Sequence, residues 1–189
     1  TYAAIAGAVG SLKGTLHGGA NAKVMEMFNY VKANVDPRDD GSIKDYLQKL
    51  LNKEAGDKSG KLYGLGHAVY TVSDPRAVLI KKYAQNIAEQ KGYGQDFRLL
   101  QKIEELGLPM IMERRNDGMP MCANVDMYSG FIYKMLGIPQ ELYPPLFAMA
   151  RIVGWCAHRI EELVSGKIIR PAYKNIQEPR GYIPMEERE

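Results

Sequence analysis

The sequence predicts an all-α fold. Apolar residues recur at three- and four-residue spacing in run after run, each run is closed by glycine or proline, and no stretch alternates apolar and polar residues over more than a few positions. The 189 residues are enough to bury a core, and 46% apolar with 25% charged residues is ordinary for a globular protein. The net charge of +3 is spread over both signs, with no basic block of the kind that binds nucleic acid. Cys122 and Cys156 stand far apart without metal-ligand or CxxC spacing, so two reduced thiols in a cytoplasmic setting are expected. The first apolar run is too short to cross a membrane. Its start without Met leads to the expectation of a fragment of something longer.

Residues 1 to 13 are rich in Ala and Gly, the composition of a helix packed closely on a neighbour, and run into a glycine break that holds His17. Val24, Met27, Phe28 and Val31 mark an amphipathic helix from Ala20 to Val35, ended by Asp36-Pro37. Ser42 with Asp45 resembles a capping box for a helix through Ile43, Tyr46, Leu47, Leu50 and Leu51. A polar loop with Gly56 and Gly60 follows. Asp74-Pro75 reads as N-cap and first residue of a helix carrying Val78, Leu79, Tyr83 and Ile87, broken at Gly92 to Gly94. The next helix, with Phe97, Leu100, Ile103 and Leu106, is expected to close at Gly107 and Pro109. After an irregular stretch from 113 to 123, a short helix covers Met127 to Leu136. Tyr143-Pro144-Pro145 opens a long helix to Gly166, apolar on most faces and therefore expected to be central. Lys167 to Pro171 is expected to be extended, and the last residues to be a tail.

Gly64 to Arg76 sets His67 in a glycine-hinged loop and Arg76 at a helix start, a favourable place for a small carboxylate. The same stretch also reads as a capped loop with a solvated arginine. His17, His67 and Asp126 fall at three separate element junctions, where a folded chain can converge side chains on one cleft, while His158 lies inside the long helix and is set aside as structural. Two chemistries fit that set. One is a metal site of two imidazoles and a carboxylate; the other is metal-free acid–base work, favoured because no H-x-x-H or H-x-x-x-H spacing is present.

Three segments carry a resemblance. Ser11-Leu-Lys-Gly-Thr-Leu-His-Gly-Gly-Ala-Asn21, Gly64-Leu-Gly-His-Ala-Val-Tyr70 with Asp74-Pro-Arg76, and Asn124-Val-Asp126 with Ser129-Gly130 resemble successive signatures of the citrate synthase family. The stretch Phe147-Ala-Met-Ala-Arg151 follows in the same order, and the likeness covers almost the whole chain, corresponding to that family's carboxy-terminal part. The resemblance implies a multihelical fold with an inserted small domain at 18–127, flanked by large-domain segments at 1–17 and 128–189. It implies a Claisen-type condensation of acetyl-CoA with oxaloacetate, followed by hydrolysis of citryl-CoA to citrate and CoA. Asp126 is then the base that takes the methyl proton, His17 the donor to the thioester carbonyl, and His67 the group that polarises the ketone and protonates the alkoxide. Arg76, Arg151 and Arg170 hold carboxylates, with Arg170 reaching the site from the other subunit of a homodimer. Leu62, Gly64, Leu65 and Gly66 belong to the segment whose backbone wraps the adenine of CoA, and Asn124 lies along the cosubstrate. Some members have a basic residue shortly after the loop histidine, where this chain has Ala68 and Thr71.

No permanently bound cofactor and no metal is implied. The family pattern places a further oxaloacetate-binding histidine and most of the dimer interface upstream of Thr1, so the piece alone is expected to be inactive and prone to self-association. Two rivals stand beside this reading: a 2-methylcitrate synthase acting on propionyl-CoA with the same residues, and a CoA- and carboxylate-binding module that turns nothing over.

Overall fold

The computed structural model describes residues 1–13, 19–168, 172, 174, 176 and 181–188. It contains seven α-helices among the described residues: α1 (Tyr2–Leu12), α2 (Ala20–Asn34), α3 (Asp40–Leu51), α4 (Pro75–Lys91), α5 (Gly94–Arg115), α6 (Asp126–Met135) and α7 (Tyr143–Ser165). The all-α class expected from the apolar spacing is therefore observed. The one extended pairing among the described residues is an isolated antiparallel bridge between Leu65 and Ala123.

Helices α2 to α6 share one core. α3 lies against α5, and α6 lies between α4 and α2. The α2 residues Val24, Phe28 and Val31 are fully buried, as their helical spacing requires, and they meet Met127, Tyr128 and Phe131 from the first two turns of α6. Phe131 sits at the centre of an aromatic group, with ring centroids 5.9 Å from Phe28 and 6.3 Å from both Tyr93 and Phe97. On α4 the inward positions are the small Ala77, Ala84 and Ala88, which let α6 approach closely. Gly130 does the same on the α2 side, where a Cβ would stand 2.7 Å from the Asn21 carbonyl oxygen.

Three sequence expectations are corrected. Ser42 does not cap α3; Asp39 does, its carboxylate accepting the Gly41 N–H at 2.9 Å, while the Ser42 hydroxyl accepts the Asp36 N–H. α5 does not stop at Gly107 and Pro109 but runs on to Arg115. A proline removes one intrahelical hydrogen bond, and here Leu106, Met110 and Ile111 keep the flanking turns on the core, so packing outweighs the break. Finally, α7 is not central. Only Tyr143 at its start is buried, and Val153 and Val164 are 77% and 82% exposed. The helix is apolar because it presents a face, not because this chain surrounds it.

α7 pairs with α1, which buries none of its own residues. Between them lies a groove of about 720 Å³ lined mainly by Val9, Leu12, Pro144, Ala148, Met149 and Ile152. The boundary expected at 127 falls in the first turn of α6, and the shared core continues past it through Met135 to Tyr143. Residues 169–171 of the expected extended stretch lie outside the described residues.

Candidate active site

The start of α4 is built by one carboxylate. Asp74 is the N-cap, and its Oδ1 accepts the backbone N–H of Arg76 at 3.0 Å. The same carboxylate receives the Arg76 side chain in two bonds, Nε to Oδ1 at 3.0 Å and Nη2 to Oδ2 at 2.8 Å. Asp74 is only 1% exposed, and the Arg76 hydrogen bonds hold its carboxyl below the usual carboxylate range against the opposing effect of burial. Sequence reading found Asp74 as a cap but missed this clamp, since a cap signature says nothing about where the following arginine points.

The loop before α4 presents His67 to that guanidinium. Gly64 and Gly66 adopt φ of +84° and +97°. At Gly64 the requirement is absolute: a Cβ would sit 2.8 Å from the Met127 sulfur and 2.9 Å from the Met127 Cα. Beyond the glycines, the chain folds back so that Nδ1 of His67 accepts the N–H groups of both Val69 and Tyr70 at 3.0 Å. In the neutral ring the proton therefore sits on Nε2, which lies 3.2 Å from Nη2 of Arg76. Two donors stand side by side there, and one acceptor oxygen beside the pair, within reach of both, would satisfy them. The Tyr70 ring backs both groups, 4.9 Å from the imidazole centroid and 5.4 Å from the guanidinium carbon. No sequence signal assigned Tyr70 that place.

Asp126 is the first residue of α6, and its backbone N–H is taken by Oδ1 of Asn124 at 2.9 Å. The amide nitrogen of the same Asn124 side chain donates to the Gly66 carbonyl at 2.8 Å. Backbone bonds from Gly66 N to Cys122 O (2.8 Å) and from Asn124 N to Gly64 O (2.9 Å) complete a short ladder about the Leu65–Ala123 bridge. The start of α6 and the His67 loop are thus sewn together. Burial raises the Asp126 carboxyl above the ordinary carboxylate range, with Arg76, His67 and Arg151 pulling it back down and Asp74 pushing the same way as burial. All four neighbours act on one half-buried carboxylate.

Each expected site residue can now be located. His67 and Arg76 come from a loop and a helix start and meet as described, and the Asn124 side chain ties that loop to the helix start that carries Asp126. Arg151, in the third turn of α7, lies with its guanidinium carbon 4.3 Å from the Phe147 ring centroid, and its charge is the weakest of the influences named above on the Asp126 carboxyl. Leu62 is buried, and with Leu65 its side chain packs on α5 where Gly107 leaves room, a Cβ there falling 2.8 Å from Leu65 and 3.1 Å from Leu62. Both leucines therefore anchor the loop, and the backbone of Gly64 to Gly66 is tied to residues 122–124. His17 and Arg170 lie outside the described residues. His158 is a surface residue whose Nδ1 is 3.1 Å from Glu161. Among the described residues no three His, Cys, Asp or Glu side chains gather into a metal-holding group, and Cys122 and Cys156 are free thiols.

A sequence profile of the citrate synthase C-terminal domain matches residues 1–172. Among curated relatives, a citrate synthase from Synechocystis is 36% identical over 189 residues, covering 99% of this chain and 43% of its own length. A 2-methylcitrate synthase from Shewanella oneidensis is 34% identical, with 99% and 45% covered. The solved citrate synthase of Thermotoga maritima superposes with a TM-score of 0.69 at 35% identity, covering all of this chain and 47% of that one. The enzyme of Thermoplasma acidophilum, solved with carboxymethyl coenzyme A and oxaloacetate, gives a TM-score of 0.68 at 30% identity over 99% and 46% of the two chains. The chain thus spans somewhat under half the length of these relatives. The profile match over most of the chain and the likeness of its helices to those of the solved enzymes show that the chain belongs to the citrate synthase family.

Proposed function

We propose that this chain forms part of an enzyme that condenses acetyl-CoA with oxaloacetate and releases citrate and CoA, with Asp126 as the general base. The observation that carries the reading is the His67–Arg76 pair, tied through the Asn124 side chain to the start of α6, where burial raises the Asp126 carboxyl. A carboxylate of ordinary basicity is poorly matched to a carbon acid. One whose pKa is raised by burial is a stronger base, and it needs donors where the negative charge develops. The paired donors of His67 Nε2 and Arg76 suit the oxygens of a 2-oxo dicarboxylate, the imidazole on the ketone and the guanidinium on a carboxylate. His67 then returns a proton to the alkoxide as the carbon–carbon bond forms. In the family pattern His17 supplies the donor to the thioester carbonyl and Arg170 a further carboxylate contact from a second subunit.

The relative solved with carboxymethyl coenzyme A and oxaloacetate supports both substrate classes. We place CoA along the backbone of Leu62 to Gly66 and beside Asn124. The small domain is taken to include α2 to α6, extending beyond 127. The remainder of a large domain and a homodimer partner are taken to cover the open faces of α1 and α7. Two free thiols suit a cytoplasmic setting.

The test is release of thiol from acetyl-CoA with oxaloacetate by the full-length protein that contains this chain. Asp126→Asn is expected to lower kcat by about 10²–10⁴-fold, the usual contribution of a positioned base, and near-normal turnover in that variant sinks the assignment. Since relatives at 34–35% identity include 2-methylcitrate synthases, propionyl-CoA is the alternative thioester. The ratio of kcat/KM for the two thioesters decides between them.

A further inference from the structure

Arg76 is the second residue of α4 and Asp126 the first of α6, so the placement of these two groups follows the placement of two helix starts. The two helices pack directly on each other at the small residues of α4. Beside that contact lies a cavity of about 270 Å³ whose walls include Asp74, Lys81, Glu104, Cys122 and Tyr128. Across that gap a single side chain joins three helices. The Oε2 of Glu104, on α5, accepts from Nζ of Lys81 on α4 at 2.7 Å and from the hydroxyl of Tyr128 on α6. The Lys81 ammonium also stands 5.4 Å from the centre of the Tyr128 ring.

We propose that Glu104 is a positioning residue, holding α4 and α6 at the separation that sets Asp126 against Arg76. This rests on the functional reading above, in which Asp126 is the base. Tyr128 is fully buried, and a buried phenol requires a hydrogen-bond acceptor. Glu104 provides it, and the side chain is itself largely shielded, at 16% exposure, with Lys81 at 32%. A surface ion pair contributes little, but a pair that also receives a buried hydroxyl is costly to leave half made. The staple is indifferent to substrate. It acts through the position of α6, and therefore through how dry the Asp126 carboxylate is kept. Besides Asp126 itself, the charged groups that bear on that carboxylate are Arg76 and Asp74 at the start of α4, His67 in the loop and Arg151 on α7.

The experiment follows the Asp126 carboxyl carbon by NMR titration of the chain labelled at Asp Cγ, in the wild type, Tyr128→Phe, Glu104→Gln and Glu104→Ala. Tyr128→Phe removes one hydroxyl and no charge. Its Asp126 midpoint is expected to fall by about half a pH unit or more toward the ordinary carboxylate value as water reaches the group. Glu104→Ala is expected to fall at least as far, and Glu104→Gln, which keeps an acceptor, to recover part of the loss. If Glu104→Ala does not fold, Tyr128→Phe carries the test. A midpoint that stays or rises in Tyr128→Phe overturns the proposal, as does a shift confined to the variants that lose the Glu104 charge. Absence of oxaloacetate-dependent thiol release by the wild-type full-length protein strikes the proposed activity instead, whereas the titration midpoint decides the staple by itself.

Discussion

Asp74 holds the site through two roles, a helix cap and a side-chain clamp, and substituting it separates them. Its Oδ1 caps α4 through the Arg76 N–H, and both of its oxygens hold the Arg76 side chain. Loss of an N-cap costs about 1 kcal/mol. The charge-assisted pair has a buried partner in Asp74 but an Arg76 side chain that is 42% exposed, so solvent screening reduces its contribution to about 1–2 kcal/mol. Asp74→Ala is therefore expected to cost about 2–3 kcal/mol, lowering Tm by about 5–10 °C for a chain of this size. Asp74→Asn keeps an oxygen for the cap and loses only the charge, which predicts about half that loss.

The pH dependence of Asp74 gives a second constraint. Its folded pKa is depressed by the Arg76 hydrogen bonds, so its stabilisation is complete above the unfolded carboxylate value and is lost as pH falls through the lowered folded value. The gap between wild type and Asp74→Asn must then shrink on acidification. Thermal melts followed by far-UV circular dichroism at neutral and acidic pH measure both quantities. An Asp74→Ala protein that melts within 1 °C of wild type at neutral pH, by the same scale, or an Asn gap that widens in acid, refutes the reasoning.

Two further outcomes follow from the same geometry. Gly64→Ala places a methyl against the Met127 backbone at a positive φ, and should destabilise the fold by about 2–4 kcal/mol in denaturant titration, since neither the backbone nor the loop can give way cheaply. Asp126 has a folded pKa raised by burial, so its ionisation opposes folding: the cost is absent below the unfolded carboxylate value, grows as pH rises and is complete above the raised folded value. Asp126→Asn should accordingly raise Tm at neutral pH, with the gain vanishing in acid; a Tm difference that does not vary with pH is the contrary result.

Much of the fold is legible in the residues because local chemistry agrees with packing. Asp74-Pro75 starts α4, Gly92 in the left-handed region ends it, and the apolar spacing of Val24, Phe28 and Val31 gives the buried face of α2. The misreadings come where tertiary forces overrule a local signal. Pro109 is a strong helix breaker in isolation, yet the apolar residues on both sides of it keep α5 continuous. α7 has the composition of a core helix and lies open, because periodicity reports that a face is apolar without saying which chain covers it. At the site, His67, Arg76 and Asp126 carry local marks, a glycine loop and two helix starts. Tyr128, Glu104 and Lys81 carry none, being ordinary residues of three different helices that meet only once the chain is folded.

The side chain of Asn124 has a mechanical consequence. With one end on the Gly66 carbonyl and the other on the Asp126 N–H, it makes the histidine loop and the first turn of α6 a single link. Thermal excursions of that loop are then shared by the helix start, so the backbones that carry the imidazole and the carboxylate travel together.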